Sequence, residues 1–291
     1  MDTAAQLVLL TLAAGTPLVF AALGELVTEK SGVLNLGVEG MMLVGAVFAF
    51  IVAATTKSPW LGVLAGMCAG AGLALLFAVV TLTLQANQVA SGLALSLFGV
   101  GLSAFIGLEY VSVVIEPIKP VLGVNPLVLL SLLLFALIHW FLYKTRAGLV
   151  LRAVGESPQS AHAIGYPVVG IRYLAVLFGG ACAGLGGAYL SLVYNPSWVE
   201  GMTAGRGWIA LALVVFATWK PWRVLAGAYL FGGVTLAQFQ AQALGVEIPA
   251  QYLSMLPYVA TVLVLAVISR DAATIKLNAP ASLGRGFHPD G

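Results

Sequence analysis

In the stretch SGVLNLGVEGMMLVGA, residues 31–46, an asparagine and a glutamate stand four residues apart in an apolar run that also holds four glycines. If the run is helical, that spacing puts Asn35 and Glu39 on one face. An amide beside a carboxylate can exchange hydrogen bonds with hydroxyls and heterocycle edges, or hold a proton or cation. Glu39 could instead cap a half-helix or pair with a neighbouring segment. Gly32, Gly37 and Gly40 predict a broken or closely packed helix here, and non-helical backbone survives inside a membrane only where protein or water satisfies it. A second glycine-interrupted run, EGMTAGRGW at 200–208, adds Thr203 and Trp208 as candidates. Paired interrupted segments are the best sequence pointer to a transporter's binding site. TLQANQVASG, residues 83–92, is an uncharged polar turn. It reads either as a plain tight turn or as a segment folding back between helices, with Asn87, Gln88 and Ser91 lining the mouth of a path.

These residues need a scaffold, and composition says what kind. The chain has 291 residues, 60% hydrophobic and 8% charged, with mean hydropathy +1.02, whereas a soluble domain carries about 25% charged residues. Apolar runs of helical membrane-crossing length recur throughout, at about 6–24, 33–55, 60–84, 88–107, 124–143, 172–194, 204–219, 223–244 and 251–269. The expectation is an all-α, polytopic membrane bundle of about nine spans (8–10). Glycines at four-residue spacing, such as Gly62, Gly66 and Gly70 or Gly180 and Gly184, read as helix-packing seams. Cys68 and Cys182 stand alone in apolar runs and read as inert. Well inside the spans so drawn, away from their ends, Glu39 and His139 are the ionisable residues that stand out. His139, beside Trp140 and Tyr143 at the end of its run, reads as interfacial.

Charge gives orientation. With the N-terminus outside, inward-facing segments hold ten Lys and Arg and outward-facing ones three, Lys57, Lys119 and Arg206. The positive-inside rule therefore predicts N-out, C-in. A net charge of +2 with no basic-aromatic cluster argues against nucleic acid. The beginning has no basic region or A-x-A site, so the first span is expected to be retained. ATTKSPWLGVLAG (54–66) echoes ATWKPWRVLAG (217–227) five spans later. An odd offset implies opposite orientation, the mark of an inverted repeat.

The loop KTRAGLVLRAVGESPQSAHAIGYPVVGIR, residues 144–172, carries full helix punctuation: Ser157 as N-cap, Pro158 at the first position, Gly165 as stop with Pro167 beyond. Two isolated turns are unstable in water, so this helix must lie against its own bundle or another chain. RAVGESPQSAHAIGYPV resembles the coupling segment of ABC-importer permeases of the ribose and branched-chain amino acid type. GELVTEKSGVLNLGVEGMMLVGA is similar to the subgroup that imports nucleosides, described broadly as simple-sugar permeases. NQVASG, GRGWIALALVVFATWKP, LPYVATVLVLAVISR and APASLGRGF extend the resemblance over nearly the whole chain.

The resemblance implies a permease domain at 1–269, with 144–172 as cytoplasmic coupling loop, and a cytoplasmic tail at 270–291, expected to be loosely ordered. It implies that Arg152, Gly155, Glu156, Ser157, Pro158, Ala161, Ile164 and Gly165 dock an ATPase subunit. It further implies a second permease subunit, homologous or identical, an extracytoplasmic nucleoside-binding protein or lipoprotein, and residence in the prokaryotic inner membrane amid lipid. A P-loop needs G-x-x-x-x-G-K-[ST]. None of the Lys-Ser/Thr pairs follows a glycine. ATP and Mg would therefore belong to the partner ATPase, and this chain is expected to carry no cofactor, no metal and no catalysis. Other readings are a permease for a pentose, another simple sugar or an amino acid, an ATP-independent secondary transporter or channel using Glu39 as an ion site, and a membrane scaffold.

Overall fold

A computed structural model describes residues 3–121, 123–243, 252, 255–260, 263–264 and 278–288. Its helices are α1 (Thr3–Lys30), α2 (Val38–Thr56), α3 (Pro59–Ala78), α4 (Gln88–Gly107), α5 (Pro126–Lys144), α6 (Arg146–Glu156), α7 (Pro158–Ala163), α8 (Val168–Tyr189), α9 (Arg206–Phe216) and α10 (Pro221–Ala243). α3 and α8 each run on through one wider, π-helical turn, Val79–Thr83 and Leu190–Tyr194. Among the described residues, extended pairing is limited to isolated bridges in and beside the 108–125 connection, such as Val114 with Ser197.

Seven of these helices are long and apolar enough to cross a membrane. Eight of the nine apolar runs of the sequence coincide with a helix. The seventh run, 204–219, yields α9 of only 11 residues, about 16 Å at 1.5 Å per residue, half a hydrocarbon core. Of the ninth run, 251–269, residues 252, 255–260 and 263–264 are described and helical, and the rest lies outside the described residues.

Four helices, α3, α5, α7 and α10, open on a proline. That position costs nothing, because the first N–H of a helix has no intrahelical partner. The two echoing turns both end this way, and Trp60 and Trp222, one residue beyond each proline, are similarly exposed at 52% and 53%.

α8 packs against α1, α2 and α3. α1 runs antiparallel to it, with Pro17 beside Gly186, Gly24 beside Cys182, and the Thr28 hydroxyl donating to the Ala175 carbonyl at 3.2 Å. The seam between α3 and α8 is built as the glycine spacing predicts: a methyl group on Gly184 would strike the Gly66 carbonyl, and one on Gly70 the Gly180 carbonyl. Backbones meet there with nothing between them.

Two further features depart from the sequence reading. α1 does not end at residue 24 but continues to Lys30, carrying Glu25 and Glu29 into the interior at 1% exposure each. Spans drawn to stop at the first charge cut the helix short. The other is the tail, whose residues 278–288 are packed rather than loose, with Ser282 and Phe287 buried at the end of the bundle that carries α6 and α7.

Candidate functional site

Between α1 and α2 the chain leaves helical geometry for seven residues, 31–37. Gly32 makes the exit at φ +89°, a conformation that a Cβ disfavours. The exposed main chain is then satisfied by side chains from elsewhere. The Leu34 N–H donates to Gln88 Oε1 at 2.8 Å, the Asn35 N–H to Glu25 Oε1 at 3.2 Å, and the Ser96 hydroxyl to the Leu36 carbonyl at 2.8 Å.

Asn35 is fully buried in this break. Its Oδ1 accepts from the Gly37 N–H at 2.9 Å and its amide reaches Met41 Sδ at 3.4 Å. Because α2 begins only at Val38, the four-residue spacing does not become a shared helical face. Asn35 closes a local turn while Glu39 points elsewhere.

Glu39 lies in the first turn of α2 and is 6% exposed. Its Oε1 accepts from the Thr203 hydroxyl at 2.5 Å and the Gly205 N–H at 2.9 Å, and its Oε2 from the Gly207 N–H at 2.6 Å. Two of the donors, the Gly205 and Gly207 N–H groups, are orphan groups at the start of α9, and the third is the hydroxyl of Thr203 just before it. One carboxylate thus sits at the N-termini of two helices, where both dipoles favour negative charge. Gly207 is dictated by this approach, since a Cβ there would collide with the Glu39 backbone. The two glycine-interrupted segments singled out in the sequence meet at this carboxylate.

The other candidates divide. Thr203 belongs to the clamp and is fully buried. Trp208, on the first turn of α9, is 38% exposed. Asn87 caps α4, accepting from the Ala90 N–H at 2.9 Å. Gln88 folds inward to the break, and its Nε2 is buried without a partner. Ser91 borders a cavity of about 320 Å³ between α3 and α4 lined otherwise by apolar side chains. Among the described residues no group of three or more His, Cys, Asp or Glu could hold a metal ion.

In the connecting loop, α7 starts at Pro158 with the Ser157 hydroxyl accepting from the Ser160 N–H at 3.3 Å. It stops at Gly165, φ +93°, where the Gly165 N–H donates to the His162 carbonyl and the Tyr166 N–H to that of Ala161. Pro158 and Ala161 face the bundle, whereas Glu156 is exposed and Ile164 projects at 73% exposure. Arg152 lies over the Tyr143 ring at 5.2 Å. Gly155 is buried against the Lys30 carbonyl.

Several buried polar groups escaped the sequence reading. Glu29 accepts from the Trp219 indole N–H at 2.5 Å, joining α1 to the end of α9. Arg172, 1% exposed, donates to the Ser31 and Arg285 carbonyls and to Ser282 Oγ, each at 3.1 Å. The signal for the two glutamates was their i, i+4 spacing ahead of Gly32, which reads as a helix running on to a glycine stop.

Residues 7–265 match the family described as branched-chain amino acid transport system, permease component. The chain belongs to this family of permeases. Three relatives sharpen the comparison. The permease is 41% identical to the "Putative glucose ABC transporter permease protein TsgC13" of Haloferax volcanii, over 99% of each chain. It is 34% identical to the nucleoside ABC transporter permease protein NupC of Lactococcus lactis, over 90% of this chain and 91% of that one. It is likewise 34% identical to the guanosine ABC transporter permease protein NupQ of Bacillus subtilis, over 88% and 89%. No solved structure matches the permease. It is a transport component and a multi-pass protein of the inner membrane.

Proposed function

We propose that this permease imports nucleosides, driven by ATP hydrolysis on a separate ATPase subunit that docks on α7. The observation that carries the mechanism is the Glu39 clamp. It holds the start of α9 to the start of α2 through three hydrogen bonds, so the two interrupted segments move as one piece. Glu39 and Asn35 then shape the path rather than touch the cargo, because a carboxylate already accepting three bonds has little capacity left. Trp208, exposed beside the clamp, offers the aromatic face on which a base or sugar ring stacks. Gln88 and Ser91 serve the inner mouth.

Docking is supported by the shape of α7. A helix of six residues with Ile164 projecting into solvent presents an apolar knob that a cleft on another chain would cover. The reading includes nine spans, N-out and C-in, arranged as an inverted repeat. The antiparallel pairing of α1 with α8 and the meeting of the α2 and α9 starts support that symmetry. A second permease subunit and an extracytoplasmic binding protein complete the importer.

The glucose-named relative, at 41% identity, favours a second reading in which the cargo is a hexose. Nucleosides and sugars share ring hydroxyls, but only nucleosides carry a planar base. Uptake of labelled guanosine, uridine, ribose and glucose by cells expressing the permease with its neighbouring transport genes separates the two. Saturable nucleoside uptake that weakens in Trp208→Ala, with glucose uptake at background, is the expected result. Glucose uptake exceeding that of every nucleoside would establish the hexose reading.

A further inference from the structure

The tail residues 278–288 contact the α1–α2 break, the α3–α4 turn and the α6–α7 segment at their end of the bundle. At one end of this segment Lys30 Nζ donates to the Asn278 carbonyl at 2.9 Å. In its middle, Ser282 donates through both its N–H and its hydroxyl to the Gly155 carbonyl, at 3.0 and 2.7 Å, and the Gly284 N–H donates to the Gly32 carbonyl at 3.1 Å. The buried Arg172 guanidinium joins Ser31, Ser282 and Arg285 in one network. At the far end Phe287 is buried with Val154, Ala161 and Val168, edge-on to the His162 ring of α7 at 5.6 Å. Two interlocked turns, Leu283 N–H to Pro280 and Arg285 N–H to Ser282, stiffen the stretch between these anchors.

We propose that residues 278–288 form a strap that carries movement of α7 into the α1–α2 break, with Phe287 gripping α7, Gly284 and Arg172 gripping residues 32 and 31, and Ser282 tying Arg172 to Gly155. A second strand of the same link runs through Gln85, whose side-chain amide donates to the Phe287 carbonyl at 3.1 Å. Gln85 belongs to the turn whose Gln88 holds the Leu34 N–H. Both routes end on the break, and the break leads directly to Glu39. Apolar contact at α7 and hydrogen bonds at the break suit such a link, since the first tolerates sliding whereas the second fixes backbone position. Phe287, Ser282 and Arg172 are positioning residues, since none reaches the clamp itself. The assignment rests on the reading that α7 receives the ATPase stroke, and the test is built to fail separately from that reading.

Hydrogen exchange on the purified full-length permease, without any partner, probes the link directly. In Phe287→Ala, exchange should quicken at residues 31–36 as well as at 158–166, and Phe287→Leu should restore both. Quickening confined to 158–166 would show that the strap carries nothing to the break. Ser282→Ala, which removes the hydroxyl from Gly155 and Arg172 while leaving the apolar end intact, should loosen 31–36 even if Phe287→Ala does not fold. In the assembled transporter, Phe287→Ala should retain ATPase association and hydrolysis while substrate moved per ATP falls about 2- to 30-fold, the range for breaking one element of a coupling network. Hydrolysis and uptake falling together would make Phe287 part of the dock alone and overturn the proposal. A wild-type transporter without ATP-driven uptake would defeat the proposed function, while the exchange result would still judge the strap.

Discussion

A glutamate among apolar residues is costly in a membrane unless the structure supplies donors. Glu39 receives three, all from the start of α9. The charge therefore needs no cation beside it, and its removal should be felt at α9 rather than at α2. In Glu39→Gln the carboxamide can accept with one oxygen only, and its NH₂ opposes a donor. We predict a loss of about 1–3 kcal/mol, the cost of stranding a buried donor, read as a lowered melting temperature in detergent and faster hydrogen exchange at 203–209. Unchanged melting together with unchanged exchange would mean that the clamp does not hold α9.

At the scale of the element, α7 owes its length to two residues. Ser157 starts it and Gly165, in left-handed geometry, stops it. Proline at 165 demands φ near −65° and removes the N–H that bonds His162. Gly165→Pro should misdirect Ile164 and Tyr166 while the bundle, whose packing lies elsewhere, still inserts. The expected outcome is normal membrane abundance with loss of both uptake and co-purified ATPase. Wild-type uptake and co-purification would remove α7 from the coupling role. α9 teaches the complementary lesson. Its apolar run predicted a full span, but left-handed residues at Gly201, Ala204 and Gly205 keep the chain in turns until Arg206, those at Thr218 and Trp219 follow its end at Phe216, and only 11 residues become helix.

For the whole molecule, the proposed N-out orientation is motivated by charge asymmetry, ten basic residues against three on the nine-span reading. The fold sorts the same segments: α6, α7 and the 278–288 strap gather at one end of the bundle, while the 108–125 connection bridges to Ser197 and Trp198. In a background with Cys68 and Cys182 replaced, single cysteines at Val114 and Val199, both exposed, should label from outside intact cells. One at Ser160 should not. Labelling at Ser160 in sealed cells would reverse the topology.

The sequence alone determined the class, since so much apolar length and so little charge leave a helical membrane bundle as the stable arrangement. It also determined local features that depend on neighbouring residues: α7 between Ser157 and Gly165, and the close-packing faces of Gly62, Gly66 and Gly70 and of Gly180 and Gly184, whose pairing with each other only the fold decided. What Glu39 faces was decided only by tertiary structure, because its donors lie more than 160 residues away. Tertiary structure also decided the separation of Asn35 from it, since the helical period used to pair them holds only where the backbone stays helical. The buried ends of α1 and the packed tail were hidden for a related reason. Glu25, Glu29 and Arg172 look like span boundaries when charge is read locally, and become interior residues only when partners such as Trp219 and Ser282 arrive from distant parts of the chain, Trp219 bonding one oxygen of Glu29 and Ser282 the Arg172 guanidinium.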